Sequence, residues 1–129
     1  MRVLLDTHCW LWMLAAPDRF TPETRERLES PHTDLYLSSA SIWEIVIKHA
    51  LGRLRLPMRP AEYLPSRVAA TRATPLPIEH GHALRVGELP PHHHDPFDRI
   101  LVAQAQVEGL PILTADPQLT AYDVEILRA

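Results

Sequence analysis

The chain is poor in several things that would point to particular functions. It has one cysteine, Cys9, so no internal disulfide can form, and this fits a reducing compartment. Cys9 lies in an apolar stretch, which favours packing over catalysis. No apolar run approaches the roughly 18 residues of a membrane span. The apolar opening from Met1 to Ala16 has some look of a secretory leader, but Asp6 and His8 interrupt it and Arg2 is its only basic residue. That segment is expected to be a buried strand and helix, in a soluble, cytoplasmic protein that does not meet membranes. Positive charge is also scarce. The formal net charge is −3, so there is no overall cationic field to draw in nucleic acid, and a polyanion would have to be met by a local basic patch or by bound metal. Of the 13 basic residues only Lys48 is lysine, which tilts cationic contacts toward the forked arginine side chain.

What is present describes one globular domain. At 129 residues, with 46% hydrophobic and 22% charged, the chain can bury about two-thirds of its unfolded surface without staples. No repeat or long linker divides it, so residues 1–129 read as a single domain.

Strand and helix signals alternate. Arg2 to Asp6 is an apolar run ending in an acid, as in a strand covered on both faces. A helix follows through Trp10, Leu11, Trp12 and Leu14, and Pro17 closes it. Thr21-Pro22-Glu23 has the cap, proline and early acid that open a helix. Asp34 to Ser38 is a second strand, and Ser41 opens a helix ended by Gly52. A helix from about Pro65 to Arg72, a brief strand at Thr74-Pro75-Leu76 and a short helix from Glu79 to Val86 follow. Leu89 to His94 is a loop. Asp95-Pro96 starts a strong helix that Gly109 ends, then come a strand from Leu110 to Thr114, a short helix at Asp116-Pro117 and a last strand from Val124 to Leu127. This alternation predicts an α/β fold with a parallel sheet, whose ligand crevice lies at the carboxyl ends of strands where strand order reverses.

Five acids occupy suggestive places. Asp6 ends the first strand and Asp116 follows the fourth, while Glu44 and Asp98 fall in the first turns of their helices, Asp98 just after Asp95. Each has a plain structural reading. Asp6, Asp95 and Asp116 could be helix caps, Ser41 and Glu44 could form a capping box, and Glu44 and Lys48 make a favourable pair. Capping alone, however, gives no reason for the acids to collect at one crevice, as they would if the first and fourth strands are neighbours. Carboxylates held together must share protons or a cation. With oxygen donors and no cysteine or histidine at ligand spacing, the fitting cation is hard, Mg²⁺ or Mn²⁺, and the chemistry it suits is phosphodiester hydrolysis.

Four blocks carry a resemblance across nearly the whole chain. Leu4-Leu5-Asp6-Thr7-His8 with Leu11-Trp12 is the first, and Ser39-Ala40-Ser41-Ile42-Trp43-Glu44-Ile45 the second. The third is Asp95-Pro96-Phe97-Asp98-Arg99 with Leu101 and Ala103-Gln104-Ala105, and the fourth Thr114-Ala115-Asp116. Together they resemble the motifs of PIN-domain proteins and, within these, the VapC-type ribonuclease toxins of type II toxin–antitoxin pairs. The third block is the most specific.

The resemblance implies a PIN-like α/β/α sandwich with a five-stranded parallel sheet in the order 3-2-1-4-5. It implies an endoribonuclease dependent on Mg²⁺ or Mn²⁺, with no small-molecule cofactor, that forms a homodimer and is neutralised by a VapB-type antitoxin. Asp6, Glu44, Asp98 and Asp116 would be the catalytic and metal-holding acids. Asp95 would be an auxiliary acid or cap, and Thr114 would place a hydroxyl beside the site.

Other features have two readings each. Lys48, Arg53, Arg55 and Arg59 are a solvated face or a patch for RNA phosphates, and Arg99 holds substrate or pairs with an acid. The run His92-His93-His94 could bind Zn²⁺ or Ni²⁺, although adjacent side chains in a loop rarely converge on one ion. Otherwise it is a solvated loop, or one of its members reaches the crevice beside Asp95 to touch phosphate or carry a proton. Trp10, Trp12 and Trp43 belong to the core or to a dimer surface. Two other functions compete. An aspartyl phosphatase or phosphotransferase would want a second acid where His8 stands and a better-placed lysine than Lys48. A catalytically inert module that binds RNA or protein would keep the acids only as remnants.

Overall fold

Strand β1 (Arg2–Leu5) is buried along Val3, Leu4 and Leu5, as its unbroken apolar run requires, and it forms the centre of the sheet. The computed structural model describes all of residues 1–129. Around β1 pair β2 (Asp34–Ser38) on one side and β4 (Ile112–Thr114) on the other, with β3 (Thr74–Leu76) and β5 (Ile126–Arg128) at the edges. All pairings are parallel and the order is β3-β2-β1-β4-β5, as the resemblance implied. Pro75 sits on edge strand β3, where its missing N–H breaks no inner ladder.

Six helices cover the two faces. Val3, Leu5, Leu35, Leu37 and Leu113 point to one face and pack with Cys9 and Trp10 of α1 (Thr7–Ala15), Ile45 of α3 (Ser39–Ala50) and Leu64 of α4 (Pro60–Thr71). Leu4 and Ile112 point to the other and meet Leu101, Val102 and Ala105 of α6 (Pro96–Glu108). The remaining helices are α2 (Pro22–Glu29) and α5 (His80–Val86), the latter lying against α6. Burial pushes the Cys9 thiol up to about 12, so it stays protonated and inert, in line with its packing role.

Several element boundaries differ from the sequence expectation. Helix α4 begins at Pro60, with Pro65 inside it, because Pro60 already supplies the first-turn proline and Arg59 the cap position. Helix α3 begins at Ser39, capped by Ser38, whose hydroxyl accepts from the Ala40 amide at 3.0 Å. Ser41 is therefore inside the helix and makes no capping box, and Glu44 stands in the second turn rather than the first. Strand β4 starts at Ile112 and β5 runs Ile126–Arg128, both shifted toward the carboxyl side of the apolar runs that announced them.

No helix is long and apolar enough to cross a membrane. From β1 the chain builds outward to β2 and β3, and later to β4 and β5 on the opposite side. The crevice of such a sheet therefore opens between the carboxyl ends of β1 and β4.

Candidate functional site

Asp6 leaves β1 at that opening. Its amide donates to the Leu113 carbonyl at 3.0 Å, which fixes it beside β4. It occupies the cap position of α1, yet its side chain caps nothing. Instead Oδ2 accepts the Thr114 hydroxyl at 2.7 Å. Burial raises the pKa of Asp6, and the Thr114 hydrogen bond and then His8 oppose that rise.

Glu44 is buried on α3, and its Oε2 accepts from Lys48 Nζ at 2.6 Å, one turn on. Burial works to lower the pKa of Lys48, but the Glu44 hydrogen bond and the charges of Glu44, Asp95 and Asp98 outweigh it and raise it. Helix α3 is tied to α1 by the Thr7 hydroxyl, which donates to Ser41 Oγ at 2.8 Å. The serine expected to cap the helix thus locks it against the Asp6 turn.

Helix α6 delivers the next two acids. Asp95 caps it, accepting from the Phe97 amide at 2.8 Å, and Asp98 lies in its first turn. Asp98 is pushed up to about 7, first by burial, then by the charges of Asp6 and Asp95, against the pull of His93 and with a further push from Glu44. Asp98 therefore lies close enough to Asp6, Asp95 and Glu44 to feel the charge of each. Asp116 joins them from the β4 side. It caps the 3-10 turn Pro117–Ala121 through the Gln118 amide at 2.9 Å, and its own amide donates to Thr114 Oγ1 at 3.0 Å. Asp95 and Asp116 are therefore caps that also stand beside the other acids, so the capping reading does not exclude a place at the crevice.

One histidine of the loop run reaches the crevice. His93 Nε2 stands 3.2 Å from Asp98 Oδ2 and 3.3 Å from Asp116 Oδ2, while Nδ1 accepts the Asp95 amide at 3.1 Å. His92 stacks edge-on to Tyr122 with ring centroids 5.2 Å apart, and His94 is exposed. Sequence reading named the run but could not choose among its members.

The basic residues divide. Arg99 is held by backbone: Nη1 donates to the Pro90 carbonyl at 2.9 Å and Nη2 to that of Val86 at 3.1 Å, with a longer contact to Leu89. It pairs with no acid, and its fork fastens the loop before α6. Lys48 is engaged by Glu44. Arg53 and Arg55 are exposed between α3 and α4, without contact to the acids, and Arg59 pairs with Glu62 at 2.7 Å.

A cation the sequence reading passed over is Arg128. Register pairs Leu5 with Leu113 and Thr114 with Arg128, so Asp6, Thr114 and Arg128 lie in one row across three strands. Arg128 is exposed, forms no ion pair, and with Asp116 and Thr120 lines an open recess of about 120 Å³. Strand alternation could have placed it on the Thr114 face, but only with the β4–β5 register in hand.

The donor set fits a divalent cation. Asp98 lies within reach of the charges of Asp6 and Glu44 and, through His93, beside Asp116. Asp6 and Glu44 are buried, and burial first and the neighbouring carboxylates next push Asp98 up to about 7. Lys48 is the one lysine or arginine that pairs with any of them, and a set dominated by carboxylate oxygens, with His93 the single nitrogen beside it, suits a hard ion.

Fold and crevice together define an α/β/α domain built around a carboxylate cluster at its topological switch. The PIN-domain family model matches residues 3–125, and the chain belongs to that family. Over 60 residues it is 38% identical to Ribonuclease VapC16 of Mycobacterium tuberculosis, a stretch amounting to 46% of this chain and 43% of that protein, so the match spans less than half of the relative's length. The crystal structure of VapBC2 from Rickettsia felis, bound to a DNA fragment from its promoter, contains a chain that superposes with a TM-score of 0.76 at 12% identity, covering 100% of this chain and 99% of that one. DNA-bound VapBC from Salmonella typhimurium gives 0.75 at 16% identity, covering 99% and 98%. At such identities the likeness is one of fold.

Proposed function

We propose that this chain is a VapC-type ribonuclease toxin that hydrolyses RNA phosphodiester bonds with Mg²⁺ or Mn²⁺. The observation that carries the reading is the convergence of Asp6, Glu44, Asp98 and Asp116 at one crevice, with Asp98 pushed up to about 7. These four acids would hold the ion. Bound there, a divalent cation would supply the charge that orients a phosphate and lets a water lose its proton to become the attacking hydroxide.

The chain's own residues do the rest. Thr114 orients Asp6 and, through the Asp116 amide, sets the start of the 3-10 turn. Lys48 holds the Glu44 carboxylate through its 2.6 Å contact and offsets part of the crevice's negative charge. Arg128 lies on the β5 side of the row, where its unpaired guanidinium can take a phosphate of the RNA backbone, and Arg53 and Arg55 are free to do so on the α3 side. Arg99 shapes the rim and does not meet substrate.

The partners that follow are RNA, a VapB-type antitoxin and a second copy of the chain, in the cytoplasm. Trp43, 58% exposed and edge-on to Phe97 at 5.3 Å, offers apolar surface for the dimer, whereas Trp10 is buried and Trp12 is half covered by its own Phe20 and Arg19. Incubation of the purified protein with total RNA in Mg²⁺ is expected to give new ends, and Asp6→Asn and Asp116→Asn to give none while remaining folded. Cleavage by both variants would defeat the proposal, and binding of RNA without cleavage by the wild type would favour an inert module.

A further inference from the structure

We propose that His93 is a positioning residue: its Nε2 donates a hydrogen bond to Asp116 and, lying against Asp98, sets the separation of the two acids, and it does not ligate the cation. The inference rests on the reading of the acids as a cation site. It starts from the two ring nitrogens. Nδ1 accepts the Asp95 amide at 3.1 Å, so that nitrogen carries a lone pair and no proton. The single proton of the neutral ring is then on Nε2, which faces Oδ2 of both Asp98 and Asp116 at 3.2 and 3.3 Å. The Asp116 contact is then a hydrogen bond donated by Nε2, and Asp98 Oδ2 lies beside the same nitrogen at 3.2 Å.

A histidine that ligates metal needs the opposite arrangement. Its coordinating nitrogen presents a lone pair, and its other nitrogen donates N–H to a carboxylate or carbonyl that fixes the tautomer. Here the second partner of the ring is itself an N–H. Moving the proton to Nδ1 would point two protons at each other and leave the Asp95 amide, at the start of α6, without an acceptor. The three side chains bring donor atoms within 4.8 Å of one another, a spacing that distance alone would take for a ligand set. The Asp95 amide is what decides against it.

The ring is also firmly placed. The His93 amide donates to Tyr122 Oη at 2.8 Å, Tyr122 is buried, and Arg99 reaches both that hydroxyl at 3.3 Å and the Pro90 carbonyl. Loop, helix α6 and the turn after β4 thus meet at one imidazole, which sets the separation of two acids carried by different elements.

Long-range proton–nitrogen NMR of the ring, first metal-free and then in Mg²⁺, tests the tautomer. The expected spectrum shows Nδ1 unprotonated and Nε2 protonated in both states. A proton on Nδ1, or loss of the Nε2 proton when Mg²⁺ binds, would overturn the proposal. Calorimetric titration of Mg²⁺ and Mn²⁺ into His93→Gln and His93→Ala supplies the second arm. The glutamine amide reaches about as far as Nε2 and can still donate, so His93→Gln should bind both ions nearly as the wild type does. His93→Ala should lose roughly tenfold for both alike. A loss in His93→Gln as large as in His93→Ala, or one confined to the nitrogen-favouring Mn²⁺, would mean direct ligation and defeat the brace. Should the wild type bind neither ion, the cation reading fails, while the metal-free spectrum still judges the hydrogen bond.

Discussion

The Thr114 hydroxyl donates to Asp6 Oδ2 over 2.7 Å, joining residues 108 positions apart in the chain. Thr114 Oγ1 in turn accepts the Asp116 amide at 3.0 Å. One small side chain on β4 thus orients the acid that ends β1 and seats the acid that follows β4. Threonine suits the place because it donates and accepts at once from a rigid, buried rotamer.

Thr114→Val keeps the shape and removes both hydrogen bonds. Asp6 would then lose the contact that most opposes its raised pKa. The expected cost is about 1–3 kcal/mol in urea unfolding, with weaker cation binding, and Thr114→Ser should recover most of both. Equal stability of the valine variant and the wild type would show that the hydroxyl has no such part.

The metal-free protein should lose stability as pH rises toward neutrality. Asp98 keeps its proton to about pH 7 when folded, against an ordinary 3.8 in the unfolded chain. Between these values the folded state binds the extra proton, so this contribution is complete below about pH 4 and gone above about pH 7. Asp6, also raised, acts in the same direction. Thermal unfolding in a chelator should therefore show a falling contribution across that window, which Asp98→Asn flattens. Mg²⁺ should stabilise more at pH 8 than at pH 5, where the proton competes with it.

Lys48 sits on the cluster as a built-in counter-charge, 2.6 Å from Glu44 Oε2. Lys48→Met removes that positive charge while keeping most of the stem. Divalent ions should bind several-fold more tightly, reflecting on the order of 1 kcal/mol of lost repulsion, and the chelated protein should unfold at lower temperature. Weaker ion binding in this variant would instead make Lys48 an organiser of Glu44.

Arg99→Lys separates a rim-building role from a substrate-holding one. Lysine keeps the charge but cannot fork to the carbonyls of Val86 and Pro90. Hydrogen exchange should rise through the segment from Gly87 to Asp95, and stability should drop by about 1–3 kcal/mol. A rise in KM for RNA with no change in exchange would place Arg99 on the substrate instead.

Much of the fold could be read along the chain because its signals are local. The apolar run of β1, the Thr21-Pro22 start of α2 and the Gly109 stop of α6 each depend on residues a few positions apart, and Gly109 takes the left-handed conformation, φ 68°, that such a stop requires. Boundaries shifted where two local signals competed. Pro60 and Pro65 could each open α4, and Ser38 and Ser41 could each cap α3; the helices start at the first of each pair. The capping readings of Asp95 and Asp116 held together with their place in the crevice, whereas Asp6 at its cap position turned its carboxylate to Thr114 instead.

Covalent order alone determined which acids are available and that each stands at the end of a strand or near the start of a helix, since period and capping are short-range properties. It also set the match to the PIN-domain family over residues 3–125. Only the folded chain decided which histidine of three meets Asp98 and Asp116, that Arg99 serves the loop, and that Arg128 shares a row with Asp6. Those outcomes depend on strand register and on the direction of single ring nitrogens, which arise when distant segments pack and leave no periodic trace in the order of residues.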